Sequence, residues 1–241
     1  RVVGQLQPAE GAVRALPAES LALVRQLLRA VPRAAELLQP AGLRAAVAAS
    51  GTFSEAQLLH SAGKPAPAPT DLKSSLARVL AHVDARLEGV NAIPTRAADA
   101  AALLALRQEL ESALTAITTN QLASLPGDTA TARSWLFTLP FLWQEEYRQL
   151  QLQLEREAPQ PGDPDEQERW RLQLNLELPR LGQIAVEARL TQGQLAVEVI
   201  SDRPAVRRLV QASSGLLESA LENRGLSLAG LISRPPTAGS T

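Results

Sequence analysis

Cysteine and methionine are both absent from the 241 residues, and aromatic residues make up only 3% of them. Without cysteine the chain forms no disulfide and offers no thiolate for catalysis or metal binding. One Tyr and three Phe provide little surface on which nucleic-acid bases could stack. The net charge of −1 also gives no strongly basic surface for a phosphate backbone. These absences argue against thiol chemistry and against nucleic acid as a partner.

No stretch of the sequence approaches the roughly 18 apolar residues of a membrane-spanning helix. We therefore expect no membrane insertion. The chain begins at Arg1 and contains no Met, so we also expect it to be a piece of a longer or processed product.

Catalytic and cofactor motifs are missing as well. The sequence has no nucleophile elbow, no phosphate-binding loop and no dinucleotide fingerprint. His60 and His82 have no partner at metal-ligand spacing, so we interpret them as ordinary helix or surface residues. Glu145 and Glu146 are adjacent, and neighbours on a strand point to opposite faces of a sheet. We predict a protein that is not an enzyme and that has no cofactor and no metal.

Residues 1–126 carry the apolar spacing of α-helices. Two stripes recur at steps of three or four residues, which is the period of one helix face. They consist of Leu72, Leu76, Val79, Val83 and Leu87, and of Leu103, Leu106, Leu110, Leu114 and Ile117. Shorter helices are predicted at residues 18–30 and 42–49, the second ending at Gly51. The Pro/Ala-rich stretch 63–70 is predicted to be a linker.

The pattern then changes to the period-two alternation of β-strands. We predict a second domain at 133–234 and a flexible tail at 235–241. Since only alternate residues are apolar, the strands are expected to form an antiparallel or mixed sheet with one buried face. The alternating residues are Leu150, Leu152 and Leu154; Trp170, Leu172, Leu174, Leu176 and Leu178; Ile184, Val186, Ala188 and Leu190; and Leu195, Val197 and Val199.

A two-residue loop at Gln192-Gly193 would fix the register of the last two strands. It predicts the apolar pairs Leu190–Leu195, Ala188–Val197 and Val186–Val199. The same register places Glu187 opposite Glu198, which is unfavourable. We expect an arginine on a neighbouring strand, such as Arg171, to relieve this repulsion.

One amphipathic helix, Arg203–Arg224, is predicted to cover the sheet. Ser201 or Asp202 is the expected N-cap, Pro204 lies in the first turn, and Gly225 ends the helix. Its predicted apolar stripe consists of Val206, Leu209, Val210, Leu217, Ala220 and Leu221. A closing strand is expected at 226–232. The fold class is therefore α+β, with a helical N-terminal half followed by a sheet covered on one face by a single helix.

Two features of the second half are candidates for partner binding. Trp135, Trp143 and Trp170 either pack in the core or anchor a partner, and Trp143 is the one expected to be exposed. The outer face of the last helix is basic through Arg203, Arg207, Arg208 and Arg224. Such a face is usually only solvated, but it would also suit an acidic partner.

The segment LPRLGQIAV, at residues 178–186, resembles the L-P-x-L-G-x-V-x-V signature in the C-terminal domain of flagellar hook-length control proteins. The resemblance covers about residues 170–232, including the L-x-x-x-G-x-x-L pattern that ends at Leu228. Weaker similarity extends back to residues 135–140. Two departures are visible. Ser214-Gly215 stands where the family often has Pro in mid-helix, and residues 1–126 are helical where the family commonly has a long polar ruler.

The resemblance implies a protein exported by the flagellar type III apparatus from the bacterial cytoplasm. Such a protein reports hook length and switches export from hook-type to filament-type subunits. The implied partner is the cytoplasmic domain of an export-gate membrane protein, with hook or hook-cap subunits as further partners. Carried over by position, Leu181, Gly182, Ile184 and Val186 are candidates for the switch surface or for its scaffold. The alternation of the strands favours burial, and thus a scaffold role, for Ile184 and Val186.

A structural or adaptor protein is the alternative hypothesis. In that case the helical N-terminal half would be the partner-binding surface.

Overall fold

A computed structural model describes residues 16, 18–53, 71–91, 97–125, 133–157 and 168–236. The described residues contain seven α-helices and six β-strands. The helices are α1 (Ala18–Arg29), α2 (Ala34–Leu37), α3 (Pro40–Ala49), α4 (Leu72–Asn91), α5 (Ala97–Ala123), α6 (Pro204–Ala212) and α7 (Ser214–Glu222). The strands are β1 (Arg133–Trp143), β2 (Glu146–Glu157), β3 (Arg169–Leu178), β4 (Gly182–Thr191), β5 (Gln194–Ser201) and β6 (Ser227–Arg234). His60, the predicted linker at 63–70 and residues 237–241 lie outside the described residues.

The strands form one mixed sheet in the order β1-β2-β3-β4-β5-β6. Strands β2 to β5 pair antiparallel, each with the strand that follows it along the chain. Strand β6 instead pairs parallel to β5, because the chain returns through α6 and α7 before entering it. The predicted α+β class and mixed sheet are therefore confirmed.

The chain divides into two compact units. One comprises residues 1–121 and 137–149, and the other comprises residues 122–136 and 150–241. The first contains α1 to α5 together with the turn end of the β1–β2 hairpin. The second contains β3 to β6 with α6 and α7.

Leucine and valine stripes form the core of the first unit. Both predicted stripes are confirmed, since Leu76, Val79, Val83 and Leu87 of α4 are buried and Leu72 packs against them. On α5 the buried members are Leu103, Leu106, Leu110 and Ile117, with Leu114 partly buried. Helix α3 ends as predicted at Gly51, whose φ of +87° is the left-handed conformation that favours glycine.

Polar and aromatic contacts tie the β1–β2 turn region to the helices of the first unit. Asn120 Nδ2 of α5 donates to Thr138 Oγ1 at 3.0 Å. The backbone N–H of Leu142 donates to the carbonyl of Pro32 at 2.9 Å. The rings of Phe53 and Phe137 pack with their centroids 5.7 Å apart. This hairpin end is therefore part of the helical unit's structure.

The β4–β5 hairpin has the predicted register. Its pairs are Leu190–Leu195, Ala188–Val197, Glu187–Glu198 and Val186–Val199. Gln192 and Gly193 have φ values of 52° and 75°, so both loop residues take the left-handed conformation of a type I′ turn. This turn matches the twist of the strands, which explains why a two-residue loop combined with the apolar alternation predicts the observed register.

The facing carboxylates of Glu187 and Glu198 each have an arginine nearby. Arg171 Nη2 lies 4.0 Å from Glu187 Oε2, as the sequence predicted. Glu198 forms its ion pair with Arg234 on β6. The repulsion is thus relieved from both sides of the hairpin, and β6 contributes a cation that the sequence analysis did not foresee.

The predicted single helix Arg203–Arg224 is wrong in one respect, because the chain forms two helices separated at Ser213. Ser213 has φ −95° and ψ 4°, which departs from helical geometry. Ser213, Ser214 and Gly215 follow one another here, and serine and glycine have low helix propensities. Helix α6 packs against β5 and β6, and α7 packs against β6.

The predicted N-cap is also wrong. Arg203 is the N-cap residue, with φ −88° and ψ 117°, and it makes no side-chain cap. Pro204 follows it at the first helical position and disfavours the helical conformation in the residue before it. Ser201 remains the last residue of β5, opposite Ile184. The helix therefore starts later in the chain than it would if Ser201 or Asp202 were the N-cap residue.

Gly225 ends α7 as predicted. The N–H of Leu226 donates to the Leu221 carbonyl at 3.0 Å and that of Gly225 to the Glu222 carbonyl at 2.9 Å. These two bonds, with a φ of +72° at Gly225, are those of a Schellman motif. The motif reverses the chain into β6.

Two glycines of this region are expected to respond oppositely to alanine. Gly215 lies within α7, and a Cβ there would meet no atom within 4 Å, so Gly215→Ala should raise the free energy of unfolding by about 0.5–1 kcal/mol. Gly225 also has free space but a φ of +72°, so Gly225→Ala should lower it by about 1 kcal/mol. Urea unfolding of both variants measures the two changes. Equal effects would contradict the assignment of Gly225 as a left-handed cap.

Candidate interaction surface

The signature segment forms the turn between β3 and β4. Leu178 is buried, and the N–H of Leu181 donates to its carbonyl at 3.1 Å, closing a β-turn with Pro179 at its second position. Gly182 follows with a φ of +72° and lies opposite Leu178 across the strand pair. This tight connection requires a fixed φ at Pro179, which the proline ring provides. It requires a positive φ at Gly182, which glycine adopts without strain.

Side chains from the start of α6 lie against this turn. Arg203 Nη1 donates to the carbonyl oxygen of Arg180 at 2.6 Å. A Cβ on Gly182 would lie 3.0 Å from Arg203 Nε and 3.2 Å from Asp202 Oδ1. Glycine at this position therefore allows both the turn and the close approach of Arg203. We call this arrangement of Arg180, Gly182 and Arg203 the turn–helix clasp.

Arg207 reinforces the junction between β5 and α6. Its Nη1 donates to the carbonyl oxygen of Ser201 at 2.7 Å, and Ser201 itself is buried. The N–H of Arg203 also approaches Ser201 Oγ at 3.3 Å. Two of the arginines that the sequence suggested as partner-binding residues thus bind the domain's own backbone.

Ile184 and Val186 lie on the covered side of the sheet. Val186 pairs with Val199, which is buried, and Ile184 pairs with Ser201. Both side chains are half-buried, as are Leu181 and Gly182. Their position follows from the alternation along β4, which places them on the same side of the sheet as the buried Val199.

The structure brings together some of the predicted site residues but not all. Gly182 and Arg203 meet at the clasp, Leu181 lies in the same turn, and Arg207 binds the Ser201 carbonyl at the start of the same helix. Arg208 lies on the outer side of α6, is exposed, and has no ion-pair or hydrogen-bond partner among the described residues. Trp143 ends β1 in the first unit and is half-buried, rather than exposed as expected. Arg224 donates to the Ala220 carbonyl at the end of α7.

The other two tryptophans pack together. The rings of Trp135 and Trp170 stack with centroids 6.0 Å apart and an interplanar angle of 18°. Both are half-buried. A stacked pair on neighbouring parts of the sheet is a structural contact, which is the more ordinary of the two expectations for these residues.

Two leucines that the sequence analysis did not assign to a surface are exposed on the helix pair. Leu209 is 58% exposed and Leu216 is 77% exposed. The sequence pattern predicts both Leu209 and Ala220 in the apolar stripe that faces the sheet. Both are exposed, so the prediction is wrong at these two positions. Val206 and Leu221 are buried, and Val210 and Leu217 are half-buried. One feature of the sequence indicates that a leucine is exposed here. Leu216 and Leu217 are adjacent, and adjacent residues on a helix cannot share one face.

The described part of the chain contains no group of three or more His, Asp or Glu residues that could hold a metal ion. Burial raises the pKa of Glu109 in α5. Glu145 lies in the turn between β1 and β2, and Glu146 begins β2, where it pairs with Arg148. No helix in these same segments has the length and apolar character needed to cross a bilayer.

Strands β3 to β6, with the helix pair packed on β5 and β6, are also the part of the chain that resembles a known family. Residues 160–234 match the model of a known family, described as flagellar hook-length control protein FliK. The match confirms the resemblance stated above for this third of the chain. No curated protein and no solved structure matches the chain.

Proposed function

We propose that the chain is a non-enzymatic hook-length control protein that acts as an export switch. Its C-terminal domain would change type III export from hook-type to filament-type subunits by binding the cytoplasmic domain of an export-gate membrane protein. The protein would act in the bacterial cytoplasm and be exported through the flagellar apparatus, where hook or hook-cap subunits are further partners.

The observation that carries the proposal is the family match at residues 160–234. The match includes strands β3 to β6 and the helix pair, which are consecutive along the chain and adjacent in the sheet. The clasp holds the signature turn against the start of α6 by a hydrogen bond from Arg203 to the Arg180 carbonyl. Because the signature residues hold the domain's own structure together in this way, they favour a function by contact with a partner over a function by catalysis.

Deletion of residues 170–232 tests the proposal in the native organism. We expect overlong hooks without filaments, because a chain that lacks the domain has no means to change export specificity. Hook length is measured by electron microscopy of isolated hook–basal bodies, and filaments by light microscopy. Re-expression of the intact chain is the control, and normal filaments on the deletion strain would refute the proposed function.

An adaptor role through the helical half is the second candidate. Exposed leucines in the first unit, Leu38 on the α2–α3 connection and Leu104 on α5, favour a contact there. The same deletion discriminates between the two proposals, because it leaves these leucines in place. An adaptor working through the helices would keep its partner in co-purification from the deletion strain.

A further inference from the structure

Strand β6 forms one edge of the sheet and pairs on its inner side with β5. Among the described residues, no further strand and no backbone hydrogen bond from another segment reaches its outer side. The pairing with β5 is irregular between Leu195 and Ala196 and then regular from Gly230 to Arg234. We call Gly230–Arg234 the open edge. Its outward N–H and C=O groups need hydrogen-bond partners, which come from water or from another chain.

The opposite edge of the sheet, β1, is protected against a further strand. Pro140 lies within β1 and has no N–H to donate. The N–H of Leu142 is already bonded to the Pro32 carbonyl at 2.9 Å. The open edge has no proline and no lysine, which are residues that prevent pairing at an edge. Its one charged residue, Arg234, is paired with Glu198. The open edge is therefore available to an added strand.

The side chains of the open edge are apolar on the face away from α6. The hydroxyl of Ser233 lies 3.5 Å from the Arg207 carbonyl of α6, so the neighbouring Ile232 points to the other face. Ile232 is 63% exposed, and a Cβ on Gly230 would meet no atom within 4 Å. Residues two apart on a regular strand share a face. An added strand with large apolar side chains at alternate positions would cover Ile232 and fill the space beside Gly230.

A second copy of the chain fits the open edge poorly. Helix α7 packs on β6 itself. Pairing two β6 strands would therefore bring two α7 helices over strands that lie only about 4.8 Å apart. Packed helices need about 8–10 Å between their axes. A single extended segment brings no such helix. Residues 235–241 of this chain, PPTAGST, contain no large apolar side chain and so do not match the edge.

Charges near the open edge determine which flanks suit the added segment. The charged residues within α7 are Glu218 and Glu222, which are exposed and have no ion-pair partner among the described residues. Arg224, which follows α7, donates to the Ala220 carbonyl. The exposed Arg208 belongs to α6, which packs on β5 as well as on β6. The helix over the edge strand is thus acidic, and a segment with lysine or arginine beside its apolar residues gains attraction.

We propose that the open edge binds an extended segment of the partner, which adds a strand to the sheet beside β6. The segment has large apolar residues at alternate positions and basic residues next to them. Its backbone pairs with the outward groups of β6, and its apolar side chains cover Ile232 and the space beside Gly230. This inference rests on the proposed function, because it specifies how the C-terminal domain contacts the export-gate protein.

The first measurement is isothermal titration calorimetry of the full chain with the purified cytoplasmic domain of the export-gate protein. Ile232→Lys should raise the Kd about tenfold or more, because it removes the apolar contact and places a cation beside basic residues. Leu209→Lys is the matched control and should leave the Kd within about twofold. Leu209 is 58% exposed on α6, outside the open edge. Since both side chains are exposed, both variants should keep the thermal melting curve of the unmodified chain.

Amide hydrogen exchange, followed by NMR, distinguishes strand addition from contact through side chains alone. In the free chain, alternate amides of the open edge point away from β5 and should exchange rapidly. In the complex these outward amides become hydrogen-bonded, so their exchange should slow about tenfold or more. The Leu209→Lys variant should show the same protection when it is bound.

The outcomes separate the two proposals. If the unmodified chain binds the gate domain, but Ile232→Lys binds equally well or the outward amides stay unprotected, the open edge is not the docking site and the proposed function stands. If the unmodified chain does not bind the gate domain at all, the proposed contact fails and the inference fails with it. Sedimentation velocity provides the last check: self-association that is lost in Ile232→Lys, with unchanged gate binding, would assign the edge to a second copy and overturn the proposal.

Discussion

Replacing Gly182 by valine should lower the free energy of unfolding of the second unit by about 3 kcal/mol. Gly182 has a φ of +72°, which a β-branched residue adopts only with strain. Its new Cβ would also lie 3.0 Å from Arg203 Nε and 3.2 Å from Asp202 Oδ1. Arg203 would have to move, and the hydrogen bond to the Arg180 carbonyl would be lost. Urea unfolding in a Trp143→Phe background measures the change, because Trp135 and Trp170 then report on the second unit alone.

Gly193→Val is the matched control for this variant. Gly193 has nearly the same φ, +75°, but the nearest atom to its Cβ position is the Gly225 carbonyl oxygen at 4.0 Å. It should therefore cost only the backbone strain, about 2 kcal/mol. The difference between the two variants isolates the contribution of the clasp. Equal losses would show that the signature glycine serves the turn and not the contact with α6.

Periodicity predicted much of this structure because most of its elements are amphipathic and their partners are close in sequence. The spacing of Leu76, Val79 and Val83 identifies one face of α4 wherever its partner helix lies. For β4 and β5, the two-residue turn at Gln192-Gly193 leaves a single register that places all apolar residues on one face. In both cases local chemistry is sufficient to determine the result.

Periodicity could not predict the contacts between residues that are distant in sequence. Nothing in the pattern of β6 shows that it pairs parallel to β5 or that Arg234 reaches Glu198. The clasp joins Arg180 to Arg203, residues on different connections of the fold. The resemblance identified Gly182 as a site residue. Only the structure shows that Arg203, beside it, donates a hydrogen bond to the Arg180 carbonyl. Arg208 is exposed as the helix pattern predicted, whereas Leu209 and Ala220 of the predicted apolar stripe are exposed instead of buried.

Replacing Leu103 by alanine should lower the free energy of unfolding of the first unit by about 3 kcal/mol. Leu103 is 0% exposed and belongs to the cluster formed by α1, α4 and α5. Truncation removes its apolar contacts and leaves a cavity, since the neighbouring helices are held by their other leucines. The loss of helical circular dichroism on urea unfolding follows this unit, because the longest helices, α4 and α5, belong to it.

Leu104→Ala tests whether burial, rather than the loss of a leucine from α5, causes the effect. Leu104 is the next residue of the same helix and is 51% exposed. Both variants gain the same helix propensity from alanine, so only the lost packing differs between them. Leu104→Ala should therefore change stability by no more than about 0.5 kcal/mol. Similar losses at both positions would mean that α5 presents a different face to the core, and the buried stripe from Leu103 to Ile117 would have to be reassigned.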